Sequence, residues 1–279
     1  MARITGKTVV VTGGSRGIGL SLVKGFLARE NTVIATTRKP AEATDLQQLA
    51  EQHPGKLVVT ALDATQTSSV ASWAEDVKRR GVKHVDVLVN NAGVYGRRPA
   101  LEDFTEADFL LAFATNTLGP FFVIQQLVKQ GLLGLPPSEQ PPAPAPAPAA
   151  STSAAAAPPP PAAPGVFPAV SPRSSLVANI SSVVGSNTEP TVSMTAKGGY
   201  AYRASKAALN VISTTFARDL APAGVETVLL HPGYVRTQLS GGLGWIDAEE
   251  SAEGMLAVLE SGQPLNGRFL DYKGQEIPW

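Results

Sequence analysis

The chain contains no cysteine. This absence excludes disulfides, thiolate catalysis and cysteine-ligated metals, and it is compatible with a reducing compartment. Histidine is almost as scarce, because the 279 residues include only His53, His84 and His231, which are far apart in the sequence. Such scattered histidines do not resemble a zinc site, so we expect no bound metal.

An excess of charge of either sign is also absent. The chain has 23 basic and 23 acidic residues, so nothing in its charge favours nucleic acid or an anionic membrane as a partner. No apolar run of about 20 residues is free of proline and charge, so no membrane span is predicted. The first predicted strand begins at about residue 7 and leaves no room for a signal peptide, so we expect a cytoplasmic protein.

Short apolar runs alternate with amphipathic stretches along the chain. The runs are apolar throughout, which is typical of strands whose two faces are both buried. The pattern predicts an α/β fold, a doubly wound parallel sheet of about seven strands with helices on both faces. The strands located are 7–12, 32–36, 57–61, 85–89, 176–180 and 226–230, and the helices are 17–29, 41–52, 68–80, 104–113, 120–133 and 201–220.

A proline-rich segment interrupts this alternation. Residues 136–172 contain 14 of the 23 prolines, mixed mainly with alanine and serine. Proline fixes φ and removes a backbone donor, so we expect a disordered, extended insertion with polyproline character. It joins a helix to a strand, which places it at the amino edge of the sheet, opposite the ligand crevice. It is either a spacer or a site for a proline-recognising partner.

Three glycines follow the first predicted strand and open the first helix. Gly13, Gly17 and Gly19 have the spacing Gly-x-x-x-Gly-x-Gly. Small residues there permit a tight turn and the close approach of a pyrophosphate, which the free amides of a helix start stabilise. The context predicts a dinucleotide site, although three glycines also occur in simple tight turns.

The end of the second predicted strand favours NADP over NAD. Enzymes that use NAD usually place an acidic side chain there, against the ribose hydroxyls. This chain has Thr37 and Arg38 instead, and Arg16 lies in the glycine turn. These three side chains are suited to a 2′-phosphate. The alternative is that Arg38 is only a solvated loop cation.

Tyr202 and Lys206 lie four residues apart on the last predicted helix. Residues i and i+4 share a helix face, so the ammonium is expected to approach the phenol and to lower its pKa. A more acidic phenol is a usable proton donor near neutral pH. A proton donor beside a bound nicotinamide is what the reduction of a carbonyl group requires.

Taken together, the motifs resemble those of the short-chain dehydrogenase/reductase family. The likeness is greatest to the sniffer-type carbonyl reductases and bacterial C-factor proteins, in residues 202–210, 231–233 and 277–279. It implies one Rossmann domain over residues 1–279, interrupted by the insertion. The matching residues, in order, are Thr12-Gly13-x-x-x-Gly17-x-Gly19, Asp63, Asn90-Asn91-Ala92-Gly93, Asn116, Asn179-Ile180-Ser181-Ser182, Tyr202-x-x-x-Lys206, and Pro232-Gly233 with Thr237.

The resemblance implies four catalytic residues. Tyr202 protonates the nascent alkoxide, Lys206 lowers the tyrosine pKa and binds the nicotinamide ribose, and Ser182 hydrogen-bonds the substrate oxygen. Asn116 holds a water that relays protons to Lys206.

A larger set of residues is implied to bind the cofactor. Asp63 is expected to contact the adenine, and Asn90 to lie beside the adenosine ribose. Thr237 and the backbone of Val235 are expected to contact the nicotinamide carboxamide. From the residues alone, Asp63 is equally a turn or cap residue. The full set is Gly13, Ser15, Arg16, Gly17, Ile18, Gly19, Thr37, Arg38, Asp63, Asn90, Ala92, Gly93, Tyr202, Lys206, Pro232, Gly233, Val235 and Thr237.

Two departures from the family pattern concern the substrate side. Ser182 and Tyr202 are 20 residues apart, so the loop between them is longer than is common in the family. After Thr237 the lid, residues 238–245, is short and rich in glycine, and a short lid encloses little substrate surface. We therefore expect an open pocket, lined by Val94, Tyr95, Val183, Met194, Tyr234 and Trp245.

These observations predict an NADPH-dependent reductase of ketones, aldehydes or quinones. Two alternatives stay open. One is an acyl-chain or sterol reductase of the same family, and the other is a C-factor-like regulatory protein that binds a dinucleotide without turnover. The family resemblance also implies that helices 104–113 and 120–133 pair between subunits in a homodimer or homotetramer.

Overall fold

The computed structural model describes residues 4–135, 167 and 174–279. Within this part of the chain, seven strands form one sheet in the order β3-β2-β1-β4-β5-β6-β7, and every pairing is parallel. The predicted α/β fold with a seven-stranded parallel sheet is confirmed. The strands are β1 (Thr8–Val11), β2 (Thr32–Thr37), β3 (Leu57–Ala61), β4 (Val87–Asn90), β5 (Ser175–Ile180), β6 (Val225–His231) and β7 (Phe269–Asp271).

Helices cover both faces of the sheet. On one face the first helix packs against the last, and on the other the third packs against the fifth and the fourth against the sixth. The helices are α1 (Gly17–Leu27), α2 (Thr44–Gln52), α3 (Thr67–Arg79), α4 (Glu106–Phe113), α5 (Gly119–Lys129), α6 (Tyr200–Asp219) and α7 (Ala248–Leu259).

The core therefore has two layers, one on each side of the sheet. Val9 and Val11 of β1 belong to the layer under α1 and α7, whereas Val10 belongs to the layer under α3 and α5. Successive side chains of a strand point to opposite faces. Because both faces are covered by apolar side chains, the strand sequence is apolar throughout rather than alternating.

Helices α4 and α5 are one continuous rod, not two separated helices as predicted. A π-helical turn, Ala114–Leu118, joins them. Pro120 has no N–H, so it cannot donate the α-helical hydrogen bond to the carbonyl of Asn116, and a wider turn accommodates this loss. The rod Glu106–Lys129 has the length and mean hydropathy (1.5) of a membrane span. This is weak evidence for one, because the apolar face of α5, with Val123 and Leu127, is part of the core.

Both flanks of the proline-rich segment meet the same turn. The backbone N–H of Leu135 donates to the Ala223 carbonyl at 2.7 Å, and that of Ser174 donates to the Gly224 carbonyl at 2.8 Å. This turn precedes β6, so the flanks lie at the amino edge of the sheet, as predicted. Apart from Phe167, residues 136–172 lie outside the described residues, and their predicted disorder stays a prediction.

Candidate active site

The glycine turn between β1 and α1 is shaped by contacts that allow no side chain. Gly13 has φ +67°, and a Cβ there would lie 2.9 Å from the Ala92 Cα. A Cβ on Gly19 would lie 2.2 Å from the Gly13 carbonyl oxygen. No acidic residue occupies the first turn of α1. The turn is thus a close-fitting cradle at a helix start, which is the kind of site that binds phosphate groups.

Asn91 holds this turn in place. Its amide nitrogen donates to the carbonyls of Thr12 and Gly13 at 3.0 and 3.1 Å. The Thr12 hydroxyl in turn accepts from the backbone N–H groups of Asn91 and Ala92 at 3.0 and 3.1 Å. The loops that follow β1 and β4 are therefore locked together, and the Asn91 side chain stabilises the glycine turn.

The cations predicted to select NADP lie at the edge of this cradle. Arg16 immediately precedes α1, and Arg38 immediately follows β2. Both are exposed, and neither forms an ion pair with a carboxylate of the described residues. The neighbouring Lys39, by contrast, pairs with Glu42 at 2.9 Å. Two guanidinium groups without an ion pair among the described residues thus flank the glycine turn, and Thr37 is the last residue of β2.

The loop after β4 links the glycine turn to the last helix. Ala92 touches the turn at Gly13, and the next residue, Gly93, reaches the other side. A Cβ on Gly93 would lie 3.3 Å from Asn116 Oδ1 and 3.9 Å from Lys206 Nζ. The glycine turn and the Tyr202–Lys206 helix are therefore on the same, carboxyl edge of the sheet, where ligands of such folds bind.

Asn116 is fully buried in the π-helical turn, and its side-chain amide is bonded at both ends. Its Nδ2 donates to the Val94 carbonyl at 2.8 Å and to the Ser205 hydroxyl at 3.0 Å, and its Oδ1 accepts from the Val94 N–H at 2.9 Å. The amide therefore fixes the loop after β4 against α6. The predicted role of Asn116 in a proton relay to Lys206 stays a prediction.

Tyr202 lies between Ser182 and Tyr95. The Ser182 hydroxyl lies close enough to the Tyr202 hydroxyl to influence its pKa, and the Tyr202 ring is stacked on the Tyr95 ring with centroids 4.6 Å apart. Burial raises the pKa of Tyr202 to about 12 and outweighs the effect of the Ser182 hydroxyl, which lowers it. The neighbouring Ser181 instead donates to Asn210 Oδ1 at 2.6 Å, so it has a structural role.

The prediction that Lys206 makes the Tyr202 phenol more acidic is wrong for this structure. The Lys206 Nζ lies 5.8 Å from the Tyr202 ring centroid and donates to the Ile180 carbonyl at 2.7 Å. Burial lowers the pKa of Lys206 itself to about 7. The lysine side chain bends toward the end of β5, and burial disfavours its charged form. Desolvation is therefore the largest influence on the Tyr202 pKa.

The other predicted cofactor residues occupy several loops of this edge. Thr237 lies over the glycine turn, because a Cβ on Gly17 would be 3.3 Å from its Cγ2. The carbonyls of Pro232 and Val235 accept hydrogen bonds from Ser251 and Ser240. Gly233 between them has φ +87°. Ser15 and Ile18 are partly buried in the turn and in the first turn of α1.

Asp63 and Asn90 form local contacts that their predicted roles do not require. The Asp63 carboxylate accepts from the N–H and the hydroxyl of Thr65, at 3.0 and 2.7 Å, so it shapes a turn. The Asn90 side chain donates to Asn179 Oδ1 at 2.9 Å between neighbouring strands, and it is buried. Contacts of these two residues to adenine and ribose stay predictions.

Three of the predicted pocket residues, Met194, Tyr234 and Trp245, are exposed. Met194 is 66% exposed and Trp245 is 77% exposed, and Tyr234 contacts the Trp245 ring edge-on at 5.6 Å. The ends of the short lid are tied by Arg236, which pairs with Asp247 at 2.8 Å and donates to the Gly244 carbonyl at 3.2 Å. That these residues line one open pocket stays a prediction.

Two residues that organise the loop between Ser182 and Tyr202 were not predicted from the sequence to have a role. Arg203, next to Tyr202, donates to three carbonyls of the loop between Ser182 and Tyr202, and Glu189 accepts from the amides of a turn within that loop. The signal in the sequence was slight: an arginine directly after Tyr202, and a single carboxylate in the loop before α6.

The comparison with known families agrees with this geometry. The family described as short chain dehydrogenase matches residues 7–134 and 163–244. This chain belongs to the short-chain dehydrogenase family. The resemblance inferred from the seven motifs is therefore confirmed, and the glycine turn and the Tyr202–Lys206 helix both lie inside the matched residues.

Relatives within the short-chain dehydrogenase family include reductases and a signalling protein. The C-signal protein of Myxococcus xanthus is 36% identical over 196 residues, 70% of this chain and 93% of that protein. The NADPH-bound carbonyl reductase from chicken fatty liver is 28% identical with a TM-score of 0.76, over 99% of this chain and 100% of the other. The Drosophila melanogaster carbonyl reductase Sniffer has the same fold, with a TM-score of 0.76 at 23% identity and the same coverage.

Proposed function

We propose that this short-chain dehydrogenase is an NADPH-dependent reductase of small ketones, aldehydes or quinones. The observation that carries the proposal is the neighbouring hydroxyl groups of Ser182 and Tyr202, at the same sheet edge as the glycine turn. One hydroxyl that orients a carbonyl oxygen and a second that protonates it are what such a reduction needs. All four catalytic residues implied by the family resemblance lie in this region.

The residues of the edge fit an NADP cofactor. The glycine cradle and the first amides of α1 would hold the pyrophosphate, and Arg16, Thr37 and Arg38 would hold the 2′-phosphate. Thr237, which lies over Gly17, would contact the nicotinamide end. The chicken reductase, similar over the whole chain, is an NADPH-bound protein, which supports this choice. When bound, the cofactor supplies a hydride.

The protein's own groups perform the proton chemistry. The Tyr202 phenol, with its pKa near 12, is protonated at neutral pH and is ready to donate to the carbonyl oxygen that Ser182 orients. Lys206, with its pKa near 7, is partly protonated in the same range, so it can take part in a relay that returns a proton to Tyr202. Asn116 fixes the loop after β4 against this helix. Burial makes the site a low-dielectric one, in which these interactions are strong.

The exposure of the predicted pocket residues supports small carbonyl substrates over long ones. An acyl chain or a sterol needs extended apolar cover, and the described lid offers little, with Trp245 and Met194 largely exposed. A regulatory role is the second candidate, because the C-signal protein is 36% identical. Against it, the chain has the full set Ser182, Tyr202, Lys206 and Asn116, which a protein without turnover does not need.

Assembly and location remain part of the proposal. Leu110 and Leu111 of α4, Leu118 of the π-helical turn and Val211 of α6 are apolar and exposed. This supports the expectation of a homodimer or homotetramer paired through α4 and α5. The substrate is a small molecule, and the balanced charge offers no attraction to nucleic acid or membrane. A cytoplasmic location is proposed on the sequence alone.

A substrate panel tests the proposal. NADPH oxidation is followed with the purified protein across small ketones, aldehydes, quinones and long-chain or sterol ketones. The proposal expects turnover of small carbonyl compounds, with weaker turnover of the long ones. Tight NADPH binding with no oxidation by any carbonyl would instead favour the regulatory role.

A further inference from the structure

The guanidinium of Arg203 binds three parts of the loop between Ser182 and Tyr202. Its Nε donates to the Val184 carbonyl at 3.2 Å, one terminal nitrogen donates to the Ala196 carbonyl at 3.0 Å, and the other donates to the Ser193 carbonyl at 2.9 Å. A fourth contact joins it to the Ser193 hydroxyl at 3.3 Å. No carboxylate of residues 4–135 and 174–279 forms an ion pair with it. The Arg203 guanidinium is therefore bound by three carbonyls and one hydroxyl of the loop.

The three carbonyls belong to the two ends and the middle of the loop. Val184 comes two residues after Ser182, and Ala196 comes shortly before α6 begins. Arg203 directly follows Tyr202 on the first turn of that helix. One planar group thus connects the backbone near Ser182 to the helix turn that holds Tyr202.

The rest of the loop is built to present the Ser193 carbonyl to Arg203. The Glu189 carboxylate accepts from the backbone N–H groups of Thr191, Val192 and Ser193, at 3.0, 2.8 and 2.7 Å. The Ser193 hydroxyl donates to the Ser186 carbonyl. Glu189 folds the turn, and the guanidinium binds the turn to the helix.

Gly185 shows how tightly this loop end is seated. A Cβ there would lie 2.9 Å from the backbone carbon of Lys206. A small shift of the loop at Val184 would therefore be transmitted to both Ser182 and the Lys206 turn. Misplacement of catalytic groups by less than an ångström is costly to catalysis.

We propose that Arg203 is a positioning residue of the reductase site, which holds the substrate-side loop and with it the Ser182 hydroxyl relative to Tyr202. This inference rests on the proposed function. Lysine is not equivalent here, because a single ammonium cannot donate to three divergent carbonyls as the planar fork does.

The test compares Arg203→Ala, Arg203→Lys and a control, Arg218→Ala. Arg218 is an exposed residue of the same helix. It donates to the Thr214 carbonyl of that helix, and its guanidinium lies over the Phe167 ring. Steady-state kinetics use the best carbonyl substrate of the panel, NADPH binding is measured by fluorescence, and hydrogen exchange is followed for residues 186–199.

For Arg203→Ala we expect kcat/KM for the carbonyl to fall by about 10- to 100-fold, mainly through a higher KM, because substrate is bound by a displaced serine and loop. NADPH affinity should change by less than about twofold, since the glycine cradle is untouched. Amides 186–199 should exchange faster. Added guanidinium ion should partly reverse the rise in KM of Arg203→Ala. The kcat/KM of Arg203→Lys should remain below that of the wild type.

The proposal is overturned if Arg203→Ala has the same carbonyl KM as the Arg218→Ala control and the same hydrogen-exchange rates for residues 186–199. It is also overturned if NADPH affinity and carbonyl KM deteriorate in parallel, because this marks a general loss of structure. Failure of the proposed function is a separate result: the wild type itself would then oxidise no NADPH with any carbonyl compound.

Discussion

At the scale of single residues, burial decides the protonation of the catalytic pair. The spacing of Tyr202 and Lys206 correctly predicts that they share a helix face, but it does not fix where a long side chain ends. The Lys206 ammonium donates to the Ile180 carbonyl, and it lies 5.8 Å from the centroid of the Tyr202 ring. Desolvation, which no sequence pattern reveals, then raises the pKa of Tyr202 and lowers that of Lys206.

Lys206 is therefore predicted to titrate near neutrality in the free enzyme. Burial lowers its pKa to about 7, so the ammonium should lose its proton as the pH rises through that value, whereas exposed lysines stay charged. Proton-detected ¹⁵N NMR of lysine side chains measures this directly. One signal should titrate near pH 7 and be missing in Lys206→Met. A Lys206 signal that stays protonated up to pH 9 would contradict the prediction.

Arg38 is predicted to distinguish the two nicotinamide cofactors. Its exposed guanidinium is free to meet a 2′-phosphate, and a hydrogen bond to a charged group is worth about 1.5–3 kcal/mol. Arg38→Ala should weaken NADPH binding by roughly 10- to 150-fold and leave NADH binding nearly unchanged. Lys39→Ala is the matched control, because Lys39 is paired with Glu42. Calorimetric titration gives both affinities, and equal losses for the two cofactors would refute the assignment.

At the scale of elements, the sequence predicted where loops are but not how they are folded. The long connection from Ser182 to Tyr202 was recognised by its length, yet its organisation by Glu189 and Arg203 depends on backbone carbonyls and amides that carry no sequence signature. The π-helical turn was interpreted as a gap between two helices. Helix α7 and strand β7 were not located, because β7 has only three residues and α7 follows a glycine-rich lid.

Glu189 is predicted to make the stability of the loop between Ser182 and Tyr202 depend on pH. Burial alone would raise the pKa of Glu189, but hydrogen bonds from the Thr191 hydroxyl and from three backbone amides outweigh it and lower the pKa to about 2. The ionised carboxylate is thus favoured in the folded state, and its contribution is complete above about pH 4.5 and is lost as the pH falls toward 2.

Glu189→Gln should therefore lower the free energy of unfolding by about 1–3 kcal/mol at pH 7, and the difference from wild type should shrink between pH 4.5 and 2. Urea unfolding at several pH values measures both effects. Glu51→Gln, at an exposed position of α2, serves as the control. The account of the loop fails if Glu189→Gln is as stable as this control at pH 7.

At the scale of the whole molecule, the fold was predictable because its signals repeat. Six of the seven strands were located as continuous apolar runs, and the alternation with helices leaves few arrangements other than a covered parallel sheet. The topology then brings the ends of β1, β2, β4, β5 and β6 to one edge. Residues that are far apart in the sequence, such as Gly13 and Gly93, become neighbours of one site for this reason.

The proline-rich segment is predicted to be dispensable for catalysis. Its flanks bond to the adjacent residues Ala223 and Gly224, at the edge opposite the active site. Replacing residues 137–172 with a four-residue glycine–serine linker should leave Tm within about 2 °C and kcat/KM within about twofold of the full chain. Thermal unfolding and the NADPH oxidation assay check this. A large loss of activity in a folded deletion variant would show that the segment contributes to the site.

The central claim is that the Tyr202 phenol protonates a carbonyl oxygen beside a bound nicotinamide. Its most direct test is rapid-mixing single turnover of NADPH with a good carbonyl substrate, for wild type and for Tyr202→Phe, with NADPH affinity measured in parallel. The account predicts unchanged NADPH affinity and a hydride-transfer rate at least about 100-fold lower in the variant, as for the loss of a general acid. A Tyr202→Phe variant that consumes NADPH at nearly the wild-type rate would contradict it.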